Sequence, residues 1–253
     1  MQGLSYREYM IMYHNIHLPL VSLSDILHNS VAICEEVNKL CRPLEHFTHY
    51  LQQGYYPFGA EGFATYNQRV ENTVELLLNI ELPQLRKVDI GNIRKLKALL
   101  SVLASEVPML VDTAKLSTLL GISRNTLLAY LEYLDEAKLI KRLYSDDLSV
   151  KKMQKPDKIL MDNCNLLKVL ALKEPNIGTL RETFFCNQLG YQHQVEYSKQ
   201  GDFLIDHQIT FEIGGQAKEG KQVAAIENAY IVADEIEYSY GNKLPIWLFG
   251  LLY

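Results

Sequence analysis

Three carboxylates in the C-terminal third of the sequence have the types and spacing of a metal site. Asp202 and Glu212 are ten residues apart, at the ends of two runs that predict adjacent β-strands, and Glu182 lies in the preceding predicted helix. Carboxylate oxygens that converge in this way hold divalent cations such as Mg²⁺ or Mn²⁺, and the cation activates water for attack on a phosphodiester. We therefore predict Glu182, Asp202 and Glu212 as catalytic candidates, with Asp202 and Glu212 as the metal ligands.

An ordinary structural role is the alternative for two of these residues. Asp202 follows Gly201 and is compatible with a turn. Glu212 is close in sequence to lysines with which it could pair. In this interpretation the site is inactive.

A second group of side chains has the pattern of a nucleic-acid contact. Asp112 and Ser123 are predicted helix caps before TAKLSTLL and RNTLLAYLEYLDEAKLI, and Gly121 is the turn between them. This is helix-turn-helix spacing, and the LIKRLYSDD run is typical of the strand and turn of a winged helix. The candidate contacts are Arg124, Asn125 and Thr126 at the start of the second helix, Lys138 further along, and Lys151, Lys152, Lys155 and Lys158 in the basic run KKMQKPDK.

Acidic residues oppose such a contact. The formal net charge is -5, so the chain as a whole has no positive field that attracts phosphates. Glu132, Asp135 and Glu136 lie on the same predicted helix as Arg124. DNA binding is therefore one prediction for this module and protein interaction is the other. The basic run is equally compatible with a solvated linker.

These candidates require an α+β architecture. A length of 253 residues predicts two or three compact units. Helical periodicity dominates residues 1–90, the helix-turn-helix pattern falls in 91–150, and a helix followed by short β-rich runs falls in 151–253. We predict an N-terminal helical segment, a winged helix-turn-helix module and a C-terminal mixed α/β domain with these boundaries.

The cysteines and histidines indicate no further site. The four cysteines form no C-x-x-C pair, which favours reduced thiols in the core, and the histidine pairs His14/His17 and His46/His49 have no third ligand at metal-site spacing. No apolar run approaches the roughly 20 residues that cross a bilayer, and the N-terminus has no signal-peptide pattern. We therefore expect a cytoplasmic protein without membrane contact.

Several segments together resemble a known family. They are LSYREYM, GYYP, ISRNTLLAYLEYLDEAKLI, KILMDNCNLL, GTLRETFFCNQL, GDFLIDHQITFEIGG and NAYIVADEIEYSYGNKLPIWLFGLLY. Over nearly its whole length the chain resembles the C-terminal part of AAA-type ATPases that end in the domain of unknown function 4143. The resemblance implies a lid-like helical segment, a winged helix and a terminal domain similar to the PD-(D/E)xK restriction-endonuclease fold.

Two departures from the family's pattern shape the functional prediction. The sequence has no G-x-x-x-x-G-K-[ST] motif, so we expect no ATPase activity from this chain by itself. The resemblance also implies a lysine two residues after Glu212, where Gly214 stands, and Lys218 and Lys221 are the candidates to replace it. We expect a non-catalytic nucleic-acid-binding or regulatory C-terminal region of an AAA-type ATPase. The alternatives are a module that pairs with an ATPase subunit or with itself, and a nuclease that depends on Mg²⁺ or Mn²⁺.

Overall fold

Helices form the first part of the chain and strands the last. The computed structural model describes residues 3–86, 90–145 and 155–253, without the side chains of residues 85, 86, 90 and 91. The class is α+β, with an N-terminal helical region and a C-terminal sheet, as predicted. None of the described helices combines the length and the apolar character that a membrane span requires.

Local sequence signals set several ends of the N-terminal helices. Ser5 and Glu8 form the predicted capping box, in which the Glu8 amide donates to Ser5 Oγ at 3.1 Å and the Ser5 amide donates to Glu8 Oε2 at 2.9 Å. Pro43 and Gly54 bound the third helix, as predicted. The helices of this part are α1 (Tyr6–His14), α2 (Leu23–Leu40), α3 (Pro43–Gln53), α4 (Tyr66–Leu76), α5 (Leu82–Arg86) and α6 (Ile90–Glu106).

Two of these helices differ from the prediction. We expected α2 to begin at residue 30, but a capping box of Ser22 and Asp25 starts it earlier, and the helix continues through a kink at Asn29 (φ -124°, ψ 16°). Pro83 was expected to end the helix before it. A π-helical turn over Leu77–Glu81 leads instead into α5, where Pro83 occupies a first-turn position that needs no amide hydrogen.

The helix-turn-helix pair forms as the caps predict. Asp112 Oδ1 accepts hydrogen bonds from the amides of Ala114 and Lys115, each at 3.0 Å, and begins α7 (Thr113–Leu120). Gly121 ends α7 in the left-handed region (φ 58°), where glycine has no steric cost. Ser123 Oγ accepts from the Thr126 amide at 3.1 Å and begins α8 (Arg124–Glu136).

A small antiparallel sheet packs beside these helices. Its strands are β1 (Met109–Leu110), β2 (Ile140–Leu143) and β3 (Lys158–Met161), in the order β1-β3-β2. The chain leaves α8 at Lys138, whose φ of 58° ends the helix before the predicted Ile140. Contacts between β2 and β3 cross the predicted boundary at residue 150, and one hydrophobic core runs through all three predicted segments.

A buried asparagine in α9 (Cys164–Leu170) joins these elements to the N-terminal helices. Asn165 is fully buried. Its Oδ1 accepts hydrogen bonds from the Tyr55 amide at 2.8 Å and from the Tyr66 hydroxyl. Its Nδ2 donates to the carbonyls of Leu51 at 2.9 Å and Tyr50 at 3.3 Å. Each polar atom of this side chain is therefore bonded, as burial requires.

The C-terminal sheet is mixed, and α10 (Ile177–Leu189) packs on it. Its strands lie in sequence order, with β4 to β6 antiparallel and β6 to β8 parallel. Phe185 of α10 contacts the rings of Phe203, Phe211 and Phe249. The strands are β4 (Val195–Tyr197), β5 (Phe203–Ile205), β6 (Ile209–Gly214), β7 (Ala229–Ala233) and β8 (Lys243–Pro245).

The apolar C-terminal run differs from its prediction. We expected PIWLFGLLY to be a strand, but Ile246–Leu251 form a 3₁₀-helix in which every residue is buried. An apolar run that is buried on all sides has no polar face, so its period does not distinguish a strand from a helix.

Candidate functional site

Asp202 comes directly before β5, and Glu212 lies on the neighbouring strand β6. Phe203 of β5 pairs with Phe211 of β6. The Asp202 amide donates to the Phe211 carbonyl at 2.9 Å, and Asp202 Oδ2 accepts from the Ile213 amide at 2.7 Å. The hairpin therefore places Asp202 against the backbone on either side of Glu212.

Glu182 approaches the same place from α10. Its Oε2 lies 2.5 Å from Lys158 Nζ, at the start of β3, and both side chains are largely buried. Burial raises the pKa of Glu182, the Lys158 ammonium opposes this, and the charge of Asp202 raises the pKa further. Since Asp202 acts on Glu182 electrostatically, these two of the three predicted carboxylates lie within range of each other.

Lys218 packs against Gly214, where the resemblance implies a lysine. A side chain at Gly214 would place its Cβ 2.7 to 2.8 Å from Cβ, Cγ and Cδ of Lys218, so the Lys218 side chain fills this space. Its Nζ lies 2.8 Å from Glu212 Oε1. Lys221, the other candidate, pairs instead with Glu219 at 2.7 Å in an exposed position.

One carboxylate oxygen of this cluster has no partner. Glu212 is 1% exposed, and its Oε2 is buried without a hydrogen bond. Within the part of the chain that the structure describes, no three His, Cys, Asp or Glu side chains are arranged as a metal site. Mg²⁺, however, needs only one or two protein carboxylates because it keeps several waters. The free oxygen of Glu212 is a carboxylate donor of the kind that such a cation prefers.

A second buried ion pair lies under the turn after β6. Arg181, next to Glu182 in α10, donates from Nε to Asp234 Oδ2 at 2.9 Å, and both side chains are 11% exposed. A Cβ on Gly215 would come within 3.1 Å of the Arg181 guanidinium. Arg181 therefore supports the turn from which Lys218 reaches back. Neither Arg181 nor Asp234 was predicted from the sequence. Lys158 was expected to contact phosphate but is buried against Glu182, and its place at the start of an otherwise apolar strand was a signal of this role.

The predicted nucleic-acid contacts fall in separate places. Arg124 and Asn125 are exposed at the start of α8, and Thr126 beside them is half-buried. Lys138 lies beyond the other end of this 13-residue helix, roughly 20 Å away at 1.5 Å per residue. Lys155 is half-buried, while Lys151 and Lys152 fall outside the described residues.

Comparisons with known proteins give one family and one distant relative. No solved structure matches the chain. An uncharacterized protein of Methanocaldococcus jannaschii is 24% identical over 278 residues, and this alignment covers 98% of the chain but 58% of the relative. The chain thus spans little more than half the length of that relative. Neither match names an ATPase, and the resemblance stays a prediction.

The family match covers the middle of the chain. A domain of unknown function, DUF8612, matches residues 44–176, from α3 to the segment before α10. The match ends before Glu182, so it contains none of the three carboxylates. Because it spans more than half of the 253 residues, the chain belongs to the DUF8612 family.

Proposed function

We propose that this chain binds nucleic acid and hydrolyses its phosphodiester bonds with the help of a divalent cation. The observation that carries the proposal is the position of Lys218. Its ammonium contacts Glu212 from the space above Gly214, where the resemblance implies a lysine. Gly214 in place of a lysine argued against cleavage. In this proposal Lys218, four residues further along, takes the role of that lysine.

Each side chain of the cluster has a role in this proposal. Asp202 and Glu212 would hold Mg²⁺ or Mn²⁺. When bound, the cation would polarise a phosphoryl oxygen of the substrate and lower the pKa of the water bound to it. Lys218 stabilises the negative charge that develops on the phosphate. Glu182 neutralises the buried ammonium of Lys158 and keeps it close to the other two carboxylates.

The architecture around the cluster is compatible with both domains that the resemblance implies. The mixed sheet with Glu182 on the helix that covers it supports an endonuclease-like terminal domain. The α6 to α8 helices with the β1-β3-β2 sheet support a winged helix, in which Arg124 and Asn125 would contact the nucleic acid.

Cleavage assays test the proposal. End-labelled duplex, single-stranded and branched DNA are incubated with Mg²⁺, with Mn²⁺ and with chelator, using the wild type, Asp202→Asn and Glu227→Gln. Glu227 is an exposed acid outside the cluster and serves as the matched control. We expect cation-dependent product that Asp202→Asn lowers by at least about 100-fold and Glu227→Gln leaves unchanged. Absence of product on every substrate, or equal product from Asp202→Asn, would refute nuclease activity.

Non-catalytic nucleic-acid binding is the second candidate. It is favoured by the two ion pairs, since Lys218 and Lys158 already neutralise Glu212 and Glu182. It predicts salt-sensitive DNA binding without cleavage, and weaker binding for Arg124→Ala than for the wild type in fluorescence anisotropy.

Protein interaction is the third candidate. Leu110, Leu119 and Leu172 are 65%, 62% and 80% exposed around one groove. Apolar exposure of this kind is typical of contact surfaces. Sedimentation of the chain, alone and with an ATPase partner, would test this candidate.

A further inference from the structure

A cavity of about 420 Å³ shares two elements with the carboxylate cluster. Glu182, Cys186 and Gly190 follow one another at four-residue spacing, so they lie on one face of the helix, with about 6 Å between successive residues. Cys186 and Gly190 line the cavity. The β3 strand begins at Lys158, which pairs with Glu182, and Asp162 in the cavity wall follows its last residue, Met161. The cavity therefore lies along α10 and β3 from the Lys158–Glu182 pair, with Cys186 about one helical turn from Glu182.

Hydrogen-bonding groups line one side of the cavity. Asn187 Nδ2 donates to the Asp162 carbonyl at 2.9 Å and to the Tyr55 hydroxyl at 3.2 Å. The Tyr55 hydroxyl lies 3.0 Å from the Tyr191 hydroxyl. These bonds hold the backbone of Asp162 in place. Its carboxylate is bonded to the neighbouring Asn163 amide at 3.2 Å and can accept further donors.

Two lysines supply positive charge at the same cavity. Lys138 follows α8 in the left-handed conformation, and Lys141 lies on β2. The Lys141 ammonium is 3.7 Å from the point that a Cβ on Gly190 would occupy, so the glycine leaves room for it. The cavity thus combines two ammonium groups with one carboxylate and two phenols.

We propose that this cavity binds one nucleotide of a nucleic-acid strand that continues into the carboxylate cluster, with a phosphate at Lys138 and Lys141 and donors of the base or sugar at Asp162. The inference rests on the proposed function and names a binding position for its substrate. The volume suits a small ligand, since ligand pockets typically begin at about 300 Å³.

The chemistry of the wall favours a nucleotide over simpler ligands. An apolar ligand would offer no donor to the Asp162 carboxylate beyond its bond from Asn163 Nδ2. An anion without donors would be attracted by the lysines but repelled by the carboxylate. A nucleotide carries both a phosphate and N–H or O–H donors, so it satisfies both kinds of group.

Binding without cleavage separates this inference from the proposed function. A fluorescein-labelled single-stranded octanucleotide is titrated in chelator, over a salt series, and unlabelled nucleoside monophosphates compete with it. The variants are Lys141→Ala and Lys138→Asn, since asparagine tolerates the left-handed backbone of residue 138. Lys173→Ala removes an exposed lysine elsewhere and is the matched control. Thermal unfolding verifies that each variant folds.

We expect each cavity variant to weaken strand binding by at least about 5-fold at low salt. The fall of log K with log salt should also become less steep, by about one unit of slope. Lys173→Ala should change neither quantity. Competition by monophosphates identifies a pocket that takes a free nucleotide, and competition by the octanucleotide alone identifies one that needs the strand. Unchanged binding in both folded cavity variants, with cleavage intact, overturns the inference and leaves the nuclease proposal standing. Lysine-dependent binding without cleavage at any cation concentration supports the inference and refutes nuclease activity.

Discussion

The Lys218 side chain packs over the Cα of Gly214, and its Nζ lies 2.8 Å from Glu212 Oε1. A lysine at residue 214 would occupy the same space on the same strand. The two positions are therefore mutually exclusive, because a Cβ at 214 would overlap with Lys218 unless the latter side chain were removed.

This exclusion predicts a rescue experiment. Lys218→Ala should lower cation-dependent cleavage by about 100-fold, because one positive group at the developing charge is lost. The double variant Gly214→Lys, Lys218→Gly also removes the Cβ of residue 218, which lies 2.7 Å from the position of a Cβ at 214. It should restore cleavage to within about 10-fold of the wild type, because it again supplies an ammonium near Glu212. Initial cleavage rates measure both effects, and Lys221→Ala, which removes an exposed lysine of the same loop, should behave as the wild type. If the double variant cleaved no faster than Lys218→Ala, a lysine at residue 214 would not be equivalent to Lys218.

Asp162 predicts a pH-dependent stability. Burial raises its pKa from 3.8 to about 6 against the opposing charges of Lys138 and Lys141. A carboxyl with a raised folded-state pKa stabilises the fold below pH 4, and this stability is lost as the pH rises through about 6. Asp162→Asn should therefore increase the free energy of unfolding at pH 8 by on the order of 2 to 3 kcal/mol and change it little at pH 4.

Denaturant unfolding between pH 4 and pH 8 measures this difference. Glu227→Gln also removes one negative charge, but from an exposed position, and should change stability by less than about 0.5 kcal/mol at every pH. A gain for Asp162→Asn that does not vary with pH would show that ionisation of Asp162 is not its source.

The Lys158–Glu182 pair predicts a difference between single and double substitutions. Glu182→Gln leaves a buried ammonium without its counter-charge, and we expect a loss of about 3 to 5 kcal/mol. The double variant Lys158→Met, Glu182→Met should recover most of this loss, because two apolar side chains need no counter-charge. Denaturant unfolding of the wild type, Lys158→Met, Glu182→Met and the double variant closes a double-mutant cycle and gives the coupling energy, with Glu182→Gln measured beside them. In the exposed pair of Lys221 and Glu219, Glu219→Gln should cost at most about 1 kcal/mol, and equal losses at both sites would contradict the effect of burial.

The hydrogen bonds of Asn165 predict that the packing of the N-terminal helices depends on their contact with α9. Asn165→Leu keeps the branched shape of the side chain and adds volume, and it leaves the Tyr55 amide, the Tyr66 hydroxyl and the Leu51 carbonyl without this partner. We expect a loss of at least about 3 kcal/mol in unfolding free energy. Asn67→Ala, on the exposed face of α4, should stay within about 0.5 kcal/mol. If the two variants had similar stabilities, the buried bonds would not hold the helices together.

Short-range signals in the sequence were sufficient for many local elements. Capping by Ser5, Asp112 and Ser123 and the turn at Gly121 depend on residues three or four positions apart, so the sequence alone specifies them. Alternation in the β-rich tail similarly predicted that Asp202 and Glu212 would meet, because a hairpin brings its two ends together.

Only the tertiary structure decided which distant groups share a site. The pairing of β3 with β2 and the contact of Lys158 with Glu182 depend on how buried surfaces fit together. No short sequence window contains that information. The same reason explains the C-terminal run. All residues of Ile246–Leu251 are buried, so the sequence shows no alternation of polar and apolar residues that would distinguish a helix from a strand, and the surrounding packing selected the 3₁₀-helix.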